Sequence, residues 1–253
     1  MLRIVSTRSY LGQVQVLKLQ PYVTGSEYPE VLDCHAHIDD LAVLSQLVNL
    51  EELEIIRVVI YSVPDWLGNL SRLKAVYLSK FVPHHAHPYF NLHRLAHIQQ
   101  LKLRFVNEIP TELAALSNLE LLMMDAWRSE LDFGSLSTCP KLKVITIDSS
   151  RNLQSGYMTI KGLEKVPNLE AFQYLPEHLN GDIVLGEGGL INLKNFVATA
   201  GAGRLLLEGS PQAFERLCHG AKKIVISMHD KSATDEKIKV GIQGILRAAR
   251  ASV

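Results

Sequence analysis

The chain is poor in cysteine. Among its 253 residues there are only Cys34, Cys139 and Cys218, an odd number of residues that lie far apart. Such sparse usage excludes a small domain held together by disulfides and favours reduced, buried thiols in an intracellular protein. We therefore expect a cytoplasmic location.

Long apolar runs are also missing. The first residues, MLRIVSTR, contain no apolar signal core, and no stretch of about 18 apolar residues occurs that would span a membrane. The sequence predicts neither secretion nor membrane insertion. These first residues also do not resemble the start of a complete domain, which suggests that the chain is part of a longer product.

The third deficiency is in net charge. Lys and Arg number 26, Asp and Glu number 26, and the formal net charge is therefore +0. No long basic run is present, so a general nucleic-acid-binding protein is not indicated.

Hydrophobic residues are abundant, at 47% of the chain, and their spacing is distinctive. Between Leu67 and Leu78 apolar residues occur at positions 67, 70, 73, 76 and 78, which is a spacing of three followed by one step of two. An amphipathic helix mixes steps of three and four, and a half-buried strand alternates throughout. The pattern L-x-x-L-x-x-L-x-x-L-x-L is typical of leucine-rich repeats, in which the last two apolar residues lie on a short strand.

This pattern recurs along the chain. Seven copies have their last apolar residue at positions 78, 103, 124, 147, 174, 198 and 226, a period of about 25 residues that is typical of this class of repeat. Cys139 takes an apolar position in one copy and is interpreted as a small hydrophobic residue. The sequence therefore predicts an α/β leucine-rich-repeat solenoid, with a curved parallel sheet on the concave side and an irregular or helical convex side.

The two ends of the solenoid are less regular. Residues 14–19 read as a first strand, and a short helix is expected near 39–47. An eighth copy around Leu47 and Leu50 has two possible registers, with its strand either at Leu53 and Ile55 or at Ile56 and Val58. We predict an irregular N-terminal repeat or cap over 1–46, about eight repeats over 47–230, and a C-terminal capping helix over 231–253, with acidic residues near its start and basic residues near its end.

Leucine-rich repeats commonly carry an asparagine at the third position after the strand. Here that position holds Phe81, Val106, Trp127, Ser150 and Glu177 in successive copies. We therefore expect the side-chain ladder formed by that asparagine to be absent and the curvature to be irregular.

Several segments resemble the leucine-rich-repeat region of plant nucleotide-binding disease-resistance proteins, especially those of grasses. These segments are VPDWLGNLSRL at 63–73, CPKLKVITI at 139–147, VPNLEAF at 166–172, and the closing strand and helix at 224–249. The resemblance covers roughly residues 45–253. It implies ligand sensing or autoinhibitory contact in plant defence. The nucleotide-binding module of that family is not in this sequence, which has no G-x-x-x-x-G-K-[ST] motif, so no ATPase activity carries over.

One motif is compatible with catalysis. Asp33, His35 and His37 form D-x-H-x-H, which is similar to the metal-binding strand of amidohydrolase barrels, and two histidines at i and i+2 on a strand point to the same side. Such a barrel needs further ligands on later strands, and most of the later chain is already assigned to repeats. A metal-dependent hydrolase is therefore the alternative hypothesis.

Histidines are also concentrated between positions 84 and 97, at His84, His85, His87, His93 and His97. This segment is either a metal-binding or pH-sensitive patch or a polar loop of variable sequence between two repeats. We interpret it as the loop.

The concave strands carry the best functional candidates, because strand side chains that alternate with the buried leucines face solvent. Lys102 and Arg104 give a basic spot beside Tyr77, Met123 gives an adaptable apolar centre, and Asp125 with Asp148 gives an acidic strip. A surface of mixed charge around aromatic and Met side chains suits a protein partner, although an ordinary solvated sheet face explains the same residues. The candidate partner-binding residues are Tyr77, Ser79, Lys102, Arg104, Met123, Asp125, Thr146, Asp148 and Gln173.

The sequence therefore predicts a non-catalytic interaction module without cofactor or bound metal. The expected partner is a protein, namely a pathogen effector, a host protein guarded by the receptor, or an adjoining receptor module; no nucleic acid or membrane is expected. A third hypothesis is a repeat scaffold in ubiquitin ligation or signalling.

Overall fold

A computed structural model gives the fold. The residues that it describes are 13–19, 38–56, 60, 62–78, 91–106, 109–126, 130–149, 157–176, 180–185, 192–200, 205–209 and 223–228.

Parallel strands dominate the described residues. They are β1 (Val16–Leu19), β2 (Glu52–Ile55), β3 (Ala75–Leu78), β4 (Gln100–Val106), β5 (Leu121–Ala126), β6 (Glu130–Asp132), β7 (Val144–Ser149), β8 (Tyr157–Lys161), β9 (Ala171–Pro176), β10 (Asn180–Leu185), β11 (Asn195–Ala200), β12 (Leu205–Gly209) and β13 (Lys223–Met228). Nine of them form one parallel sheet in the order β1-β2-β3-β4-β5-β7-β9-β11-β13. One strand per repeat, in chain order, is the arrangement that the period of about 25 residues predicts, and the leucine-rich-repeat solenoid is confirmed.

The two apolar positions of each strand align from repeat to repeat. Leu53, Val76, Leu101 and Leu122 are register partners on successive strands, and all are buried. Because no single repeat is large enough to bury its own apolar face, this stacking supplies most of the hydrophobic stabilisation.

The first repeats take one of the two registers that the sequence allowed. β1 pairs with β2, and Leu53 and Ile55 are the buried residues of β2. The alternative register, with the strand at Ile56 and Val58, is therefore wrong. The short helix expected near 39–47 is confirmed as a 3-10 helix over Ile38–Gln46.

Backbone hydrogen bonds join neighbouring repeats just before the strands. The carbonyl of Glu51, for example, accepts bonds from the amides of Lys74 (2.7 Å) and Ala75 (3.0 Å), and the carbonyl of Lys74 accepts from Gln99 and Gln100. The same pattern, in which one carbonyl accepts bonds from two consecutive amides of the next repeat, recurs up to Glu170. It satisfies the polar backbone at the edge where each chain segment enters the sheet.

Short helices lie on the convex side of both the first and the later repeats. A single turn of α-helix covers Asp65–Gly68, and further 3-10 helices cover Leu92–Leu95, Thr111–Ala115, Phe133–Thr138 and Leu163–Lys165. A 3-10 helix has three residues per turn, so residues at i and i+3 lie on one side. This matches the Leu-x-x-Leu spacing and explains why both leucines of such a segment, for example Leu92 and Leu95, are buried.

A second parallel sheet, in the order β12-β10-β8-β6, lies on the convex side of the later repeats. It was not predicted. Ile160 lies three residues before Leu163 and so fits the Leu-x-x-Leu spacing, but it lies in β8 and pairs with Leu131 and Ile183, all three being buried. The alternation of buried Met158 and Ile160 with partly exposed Thr159 and Lys161 is a strand pattern, which a search for three-residue spacing does not detect.

The structure tests the prediction for Cys139 but not the prediction of a C-terminal capping helix. Cys139 is fully buried, and its thiol donates to the carbonyl of Leu113 at 3.4 Å, which confirms its assignment as a core residue. The predicted capping helix at 231–253, by contrast, lies outside the described residues. No helix among the described residues is long and apolar enough to cross a membrane.

Candidate functional site on the concave face

On one side of the nine-stranded sheet, the side chains that alternate with the buried apolar residues form rows in register across the strands. We call this side the concave face. The first row, in register across the strands, is Val16, Glu52, Ala75, Gln100, Leu121, Val144, Ala171 and Asn195. The second row is Lys18, Glu54, Tyr77, Lys102, Met123, Thr146, Gln173 and Val197.

A shallow groove of about 220 Å³ runs across β1 to β5 between these rows. We call it the concave groove. Its facing residues are Val16, Lys18, Glu52, Glu54, Ala75, Tyr77, Gln100, Lys102, Leu121 and Met123. The predicted residues Tyr77, Lys102 and Met123 are therefore brought together in one depression.

An ion pair closes the β1 end of the concave groove. The Lys18 ammonium lies 2.8 Å from a carboxylate oxygen of Glu54 on the neighbouring strand. The hydrogen bond to Glu54 raises the pKa of Lys18. The charges of these two groups largely cancel at the surface.

The middle of the groove contains an aromatic side chain and a cation. Tyr77 and Lys102 are register partners on β3 and β4, and the Lys102 nitrogen lies 4.5 Å from the centre of the Tyr77 ring. Both side chains are half-buried. A cation over an aromatic face is attracted by the ring quadrupole, which explains how this pair is ordered.

Apolar side chains follow toward β5 and β7. Met123 and Leu121 are half-buried groove residues, and Val144 is the register partner of Leu121. Methionine is flexible and polarisable, so it adapts to partners of different shape. The concave groove thus passes from charged residues to an aromatic-cation pair and then to an apolar end.

The expectation that Asp125 and Thr146 face solvent is wrong. Asp125 is 2% exposed and Thr146 is 7% exposed. Thr146 is a short side chain between the longer Met123 and Gln173 on the adjacent strands. The alternation rule gave the side of the sheet on which these residues lie, but burial also depends on the neighbours on both adjacent strands.

The other predicted residues divide into two groups. Asp148 is exposed and Gln173 is half-buried, as expected for facing positions. The backbone of Arg104 pairs with Asp125, although its side chain is outside the described part of the structure, and so is the whole of Ser79. Whether any of the nine residues binds a partner stays a prediction.

The sequence motifs that suggested metal binding lie mostly outside the described residues. Asp33, His35 and His37 do, and so do His84, His85 and His87. Of the other two histidines in that cluster, His93 is exposed and the His97 ring nitrogen lies 3.2 Å from the carbonyl oxygen of Leu70. Within the described residues, no group of three or more His, Cys, Asp or Glu side chains is placed to hold a metal ion.

Sequence reasoning missed a ladder of asparagine side-chain hydrogen bonds between neighbouring repeats. Asn118, Asn168 and Asn192 each come directly before a buried leucine, and each donates a side-chain hydrogen bond to a carbonyl of the preceding repeat. The acceptors are Ala96 (3.1 Å), Pro140 (2.7 Å) and Pro167 (3.1 Å). The recurring Asn-Leu dipeptide before the strand was the available signal. The asparagine that leucine-rich repeats commonly carry after the strand is absent here. An asparagine before the strand bonds to backbone carbonyls instead.

Charged residues of alternating sign occupy the edge at which the strands begin. Glu51 pairs with Lys74, and Glu170 pairs with Lys194, each at 2.7 Å. The hydrogen bonds to these lysines lower the pKa of both glutamates. A polar groove of about 270 Å³ lies here, lined by Glu120, Pro140, Lys141, Lys143, Asn168, Glu170, Asn192 and Lys194. Its asparagines and most of its charges are engaged in contacts within the chain.

Of the comparisons with known proteins, one solved structure, that of internalin C2, supports the fold. No family model matches the sequence, and no curated protein matches it. Among solved structures, internalin C2 from Listeria monocytogenes is similar with a TM-score of 0.50 and 16% identity, covering 88% of this chain and 84% of that chain. An internalin (inlF) from the same organism gives a TM-score of 0.39 and 15% identity, covering 79% of this chain and 67% of that one. A leucine-rich-repeat protein from Leptospira interrogans gives a TM-score of 0.21 and 13% identity, covering 80% of this chain and 79% of that one.

Proposed function

We propose that this chain is a protein-interaction module that binds a protein or peptide segment in the concave groove, without catalytic activity and without a cofactor. The observation that supports this most directly is the composition of the groove. One continuous depression combines an ordered aromatic-cation pair, an adaptable methionine and charged residues at one end. Aromatic, Met and Arg side chains are enriched at protein interfaces, where a small central cluster provides most of the binding energy.

The rigid support of the groove also favours binding. Its residues stand on five adjacent strands whose buried neighbours fix the backbone, as Val76 and Leu101 do beneath Tyr77 and Lys102. A preformed surface loses little conformational entropy on binding, which leaves more of the interaction energy for affinity.

A random-peptide display library panned on the purified chain tests this proposal. We expect selected peptides to lose at least about tenfold in affinity for Met123→Glu, because a charge is placed in the apolar part of the groove. Val48→Glu is the matched control, because Val48 is an exposed apolar residue that is not among the residues lining the concave groove. Equal affinity for both variants would rule out the groove as the binding site.

The basic spot gives a second test. Lys102→Glu combined with Arg104→Glu is expected to weaken binding of the same peptides while the circular dichroism spectrum stays that of the folded chain. Lys102 is a half-buried facing residue rather than a core residue, so charge reversal leaves the stacked leucines intact. Unchanged affinity in a titration would count against the basic spot.

We further propose that this module acts in plant defence, in the cytoplasm, as the sensor end of a nucleotide-binding receptor. This rests on the resemblance of residues 63–73, 139–147 and 166–172 to that family. The partner would then be a pathogen effector, a guarded host protein or an adjoining module of the receptor. The flanking coding sequence tests this, since a nucleotide-binding module upstream supports the receptor and an F-box supports a scaffold in ubiquitin ligation instead.

No observation in the described residues favours the hydrolase hypothesis. Metal analysis of the purified chain tests it independently. Stoichiometric zinc, manganese or iron that disappears in His35→Ala with His37→Ala would revive that hypothesis, whereas we expect the chain to contain no such metal.

A further inference from the structure

The concave groove contains two opposite charges that do not neutralise each other. The first is Glu52, an exposed residue of the first row on β2, and the second is Lys102, on β4 in the second row. Within the described side chains, neither forms an ion pair. The other two charges of the groove, Lys18 and Glu54, are paired with each other, and the Glu52 charge also contributes to the raised pKa of Lys18. With one cation and two anions, this end of the groove keeps a net negative charge.

The separation of these two charges is fixed by the sheet. β2 and β4 are two strands apart, and Lys102 lies two residues further along its strand than Gln100, the residue in register with Glu52 through Ala75. With strands about 4.8 Å apart and a rise of about 3.3 Å per residue, the Cα atoms of Glu52 and Lys102 lie about 12 Å apart. In the described structure the Lys102 nitrogen lies over the Tyr77 ring rather than against the Glu52 carboxylate, so the two charges stay apart.

Between these charges the floor of the groove is low and apolar. The strand between them, β3, contributes Ala75 and Tyr77 to the two rows. Ala75 has the smallest side chain in this part of the groove, and it lies next to the Tyr77 ring with Val76 buried beneath. A small residue beside a larger ring leaves room for one apolar side chain of a ligand.

We propose that the partner is an extended peptide segment with two residues of opposite charge four positions apart and an apolar residue midway between them. This inference rests on the proposed function of the groove. In an extended segment, residues i, i+2 and i+4 lie on one side, and i and i+4 are about 13 Å apart. The cationic residue pairs with Glu52, the apolar residue rests on Ala75 and Tyr77, and the anionic residue pairs with Lys102.

The same spacing disfavours other charge patterns. A segment with two acidic residues at i and i+4 places one of them against Glu52, and a segment with two basic residues places one against Lys102. Like charges brought together at an interface are strongly unfavourable, so the groove selects by charge pattern more than by overall charge. Because a peptide can lie across the strands in either direction, the order of the two charges along the peptide is not specified.

Panning one random-peptide display library on the wild-type chain and on two single variants tests this inference. The wild type is expected to select peptides with opposite charges at i and i+4. Lys102→Glu is expected to select peptides with two basic residues at these positions, and Glu52→Lys peptides with two acidic residues. A peptide selected on the wild type should lose at least about tenfold in affinity for either variant and recover it when its facing charge is reversed.

The matched control is the double variant Glu51→Lys with Lys74→Glu. It reverses an ion pair formed by the residues directly before β2 and β3, at the edge where these strands begin and outside the concave groove. We expect it to select the same peptides as the wild type.

The outcomes separate this inference from the proposed function. Peptides that lose affinity for Met123→Glu but whose charges do not follow the two variants would overturn the inference and leave the proposed function in place. If no selected peptide depends on the concave face, both are wrong. If the face is instead covered by a second copy of the chain, the wild type would elute as a dimer that Glu52→Lys dissociates, and the inference would again be overturned.

Discussion

Asparagine residues connect neighbouring repeats at the level of single side chains. The amide groups of Asn118, Asn168 and Asn192 bond to carbonyls that no strand or helix satisfies, one repeat before their own. Each bond therefore adds a directional contact between repeats to the non-directional stacking of leucines. This is why an asparagine-leucine dipeptide at that position is informative about repeat stacking.

Asn168→Ala tests the strength of this contact. Its bond to the Pro140 carbonyl is 2.7 Å long, and we expect its removal to lower the free energy of unfolding by about 1 kcal/mol, measured by urea denaturation. Asn69→Ala is the control, because Asn69 is an exposed asparagine that also precedes a leucine. Equal losses in both variants would show that the inter-repeat bond contributes nothing particular.

Gly162 has a positive φ of 79° and no room for a side chain. A Cβ atom there would lie 2.6 Å from a carboxylate oxygen of Asp132 and 2.7 Å from the amide nitrogen of Gly134. That carboxylate oxygen accepts the Gly134 amide hydrogen bond at 2.8 Å, at the start of the Phe133–Thr138 helix. The residue thus has a conformational and a steric requirement for glycine.

We expect Gly162→Ala to destabilise the chain by about 2 kcal/mol, because the strained φ and the two close contacts add together. Thermal and urea denaturation measure the change. Gly134→Ala is the comparison, since its added Cβ would meet an Asp132 carboxylate oxygen at 3.0 Å and the Lys165 nitrogen at 3.2 Å, and neither contact is with the backbone. A larger loss for Gly134→Ala than for Gly162→Ala would contradict this account.

For single residues, the sequence predicted correctly on which side of the sheet a side chain lies, but it did not predict how far that side chain is exposed to solvent. The spacing of Leu101 and Leu103 determined that Lys102 faces the groove, which the structure confirms. The burial of Thr146 depends on the lengths of Met123 and Gln173, which lie 23 and 27 positions away in the chain and become its neighbours only through strand pairing. A pattern within one repeat contains no information on that contact.

At the scale of whole elements, the sheet edge where strands begin carries ion pairs between adjacent repeats. Glu51 with Lys74, and Glu170 with Lys194, repeat the same geometry at distant points of the sheet. In both cases the lysine hydrogen bond lowers the pKa of the glutamate in the folded chain. Folding is therefore linked to deprotonation of these groups.

The sign of this linkage predicts a pH dependence. Because the folded pKa of each glutamate is lowered, its stabilising contribution is complete above the unfolded pKa and is lost as pH falls through the folded pKa. The double variant Glu51→Gln with Glu170→Gln should therefore lose less stability than the wild type between about pH 6 and about pH 3. The urea midpoints at these two pH values measure the difference.

The expected effect is small because both pairs are exposed, and it should shrink further in high salt. Glu112→Gln provides the control, since Glu112 belongs to neither ion pair. An equal fall of the urea midpoint in wild type and double variant would show that the two pairs do not contribute to the acid sensitivity of the fold.

Elements on the two sides of the solenoid were not equally predictable. The strands of the nine-stranded sheet follow from the two-residue step that ends every repeat. The strands of the second sheet do not, because β6 has three residues and its partner β8 is part of the next repeat. Such short alternating segments become recognisable as strands only when their pairing is known.

At the scale of the whole molecule, each described strand of the large sheet pairs only with the strands of adjacent repeats. The order of the strands equals the order of the repeats in the sequence, so the period alone was sufficient to predict it. Stability in such an array is close to a sum of terms for single repeats and for the interfaces between neighbours. A local defect should therefore have an effect that depends on its position along the array.

Leu19 and Leu103 allow a matched test of that expectation. Both are buried leucines at the same register position, the former on β1 and the latter on β4. In the described sheet β4 pairs on both sides, with β3 and β5, whereas β1 pairs with β2 alone. Truncation of Leu103 therefore weakens two interfaces between repeats, and truncation of Leu19 weakens one.

We expect Leu103→Ala to lower the free energy of unfolding by about 3 kcal/mol and to reduce amide hydrogen-exchange protection in β3, β4 and β5 together. Leu19→Ala should lower the global midpoint less, with lost protection limited to β1 and β2. Hydrogen exchange followed by mass spectrometry measures both patterns on the same peptides. If Leu19→Ala instead lowers protection evenly from β1 to β13, the array unfolds as a single cooperative unit and the sum of neighbour terms does not describe it.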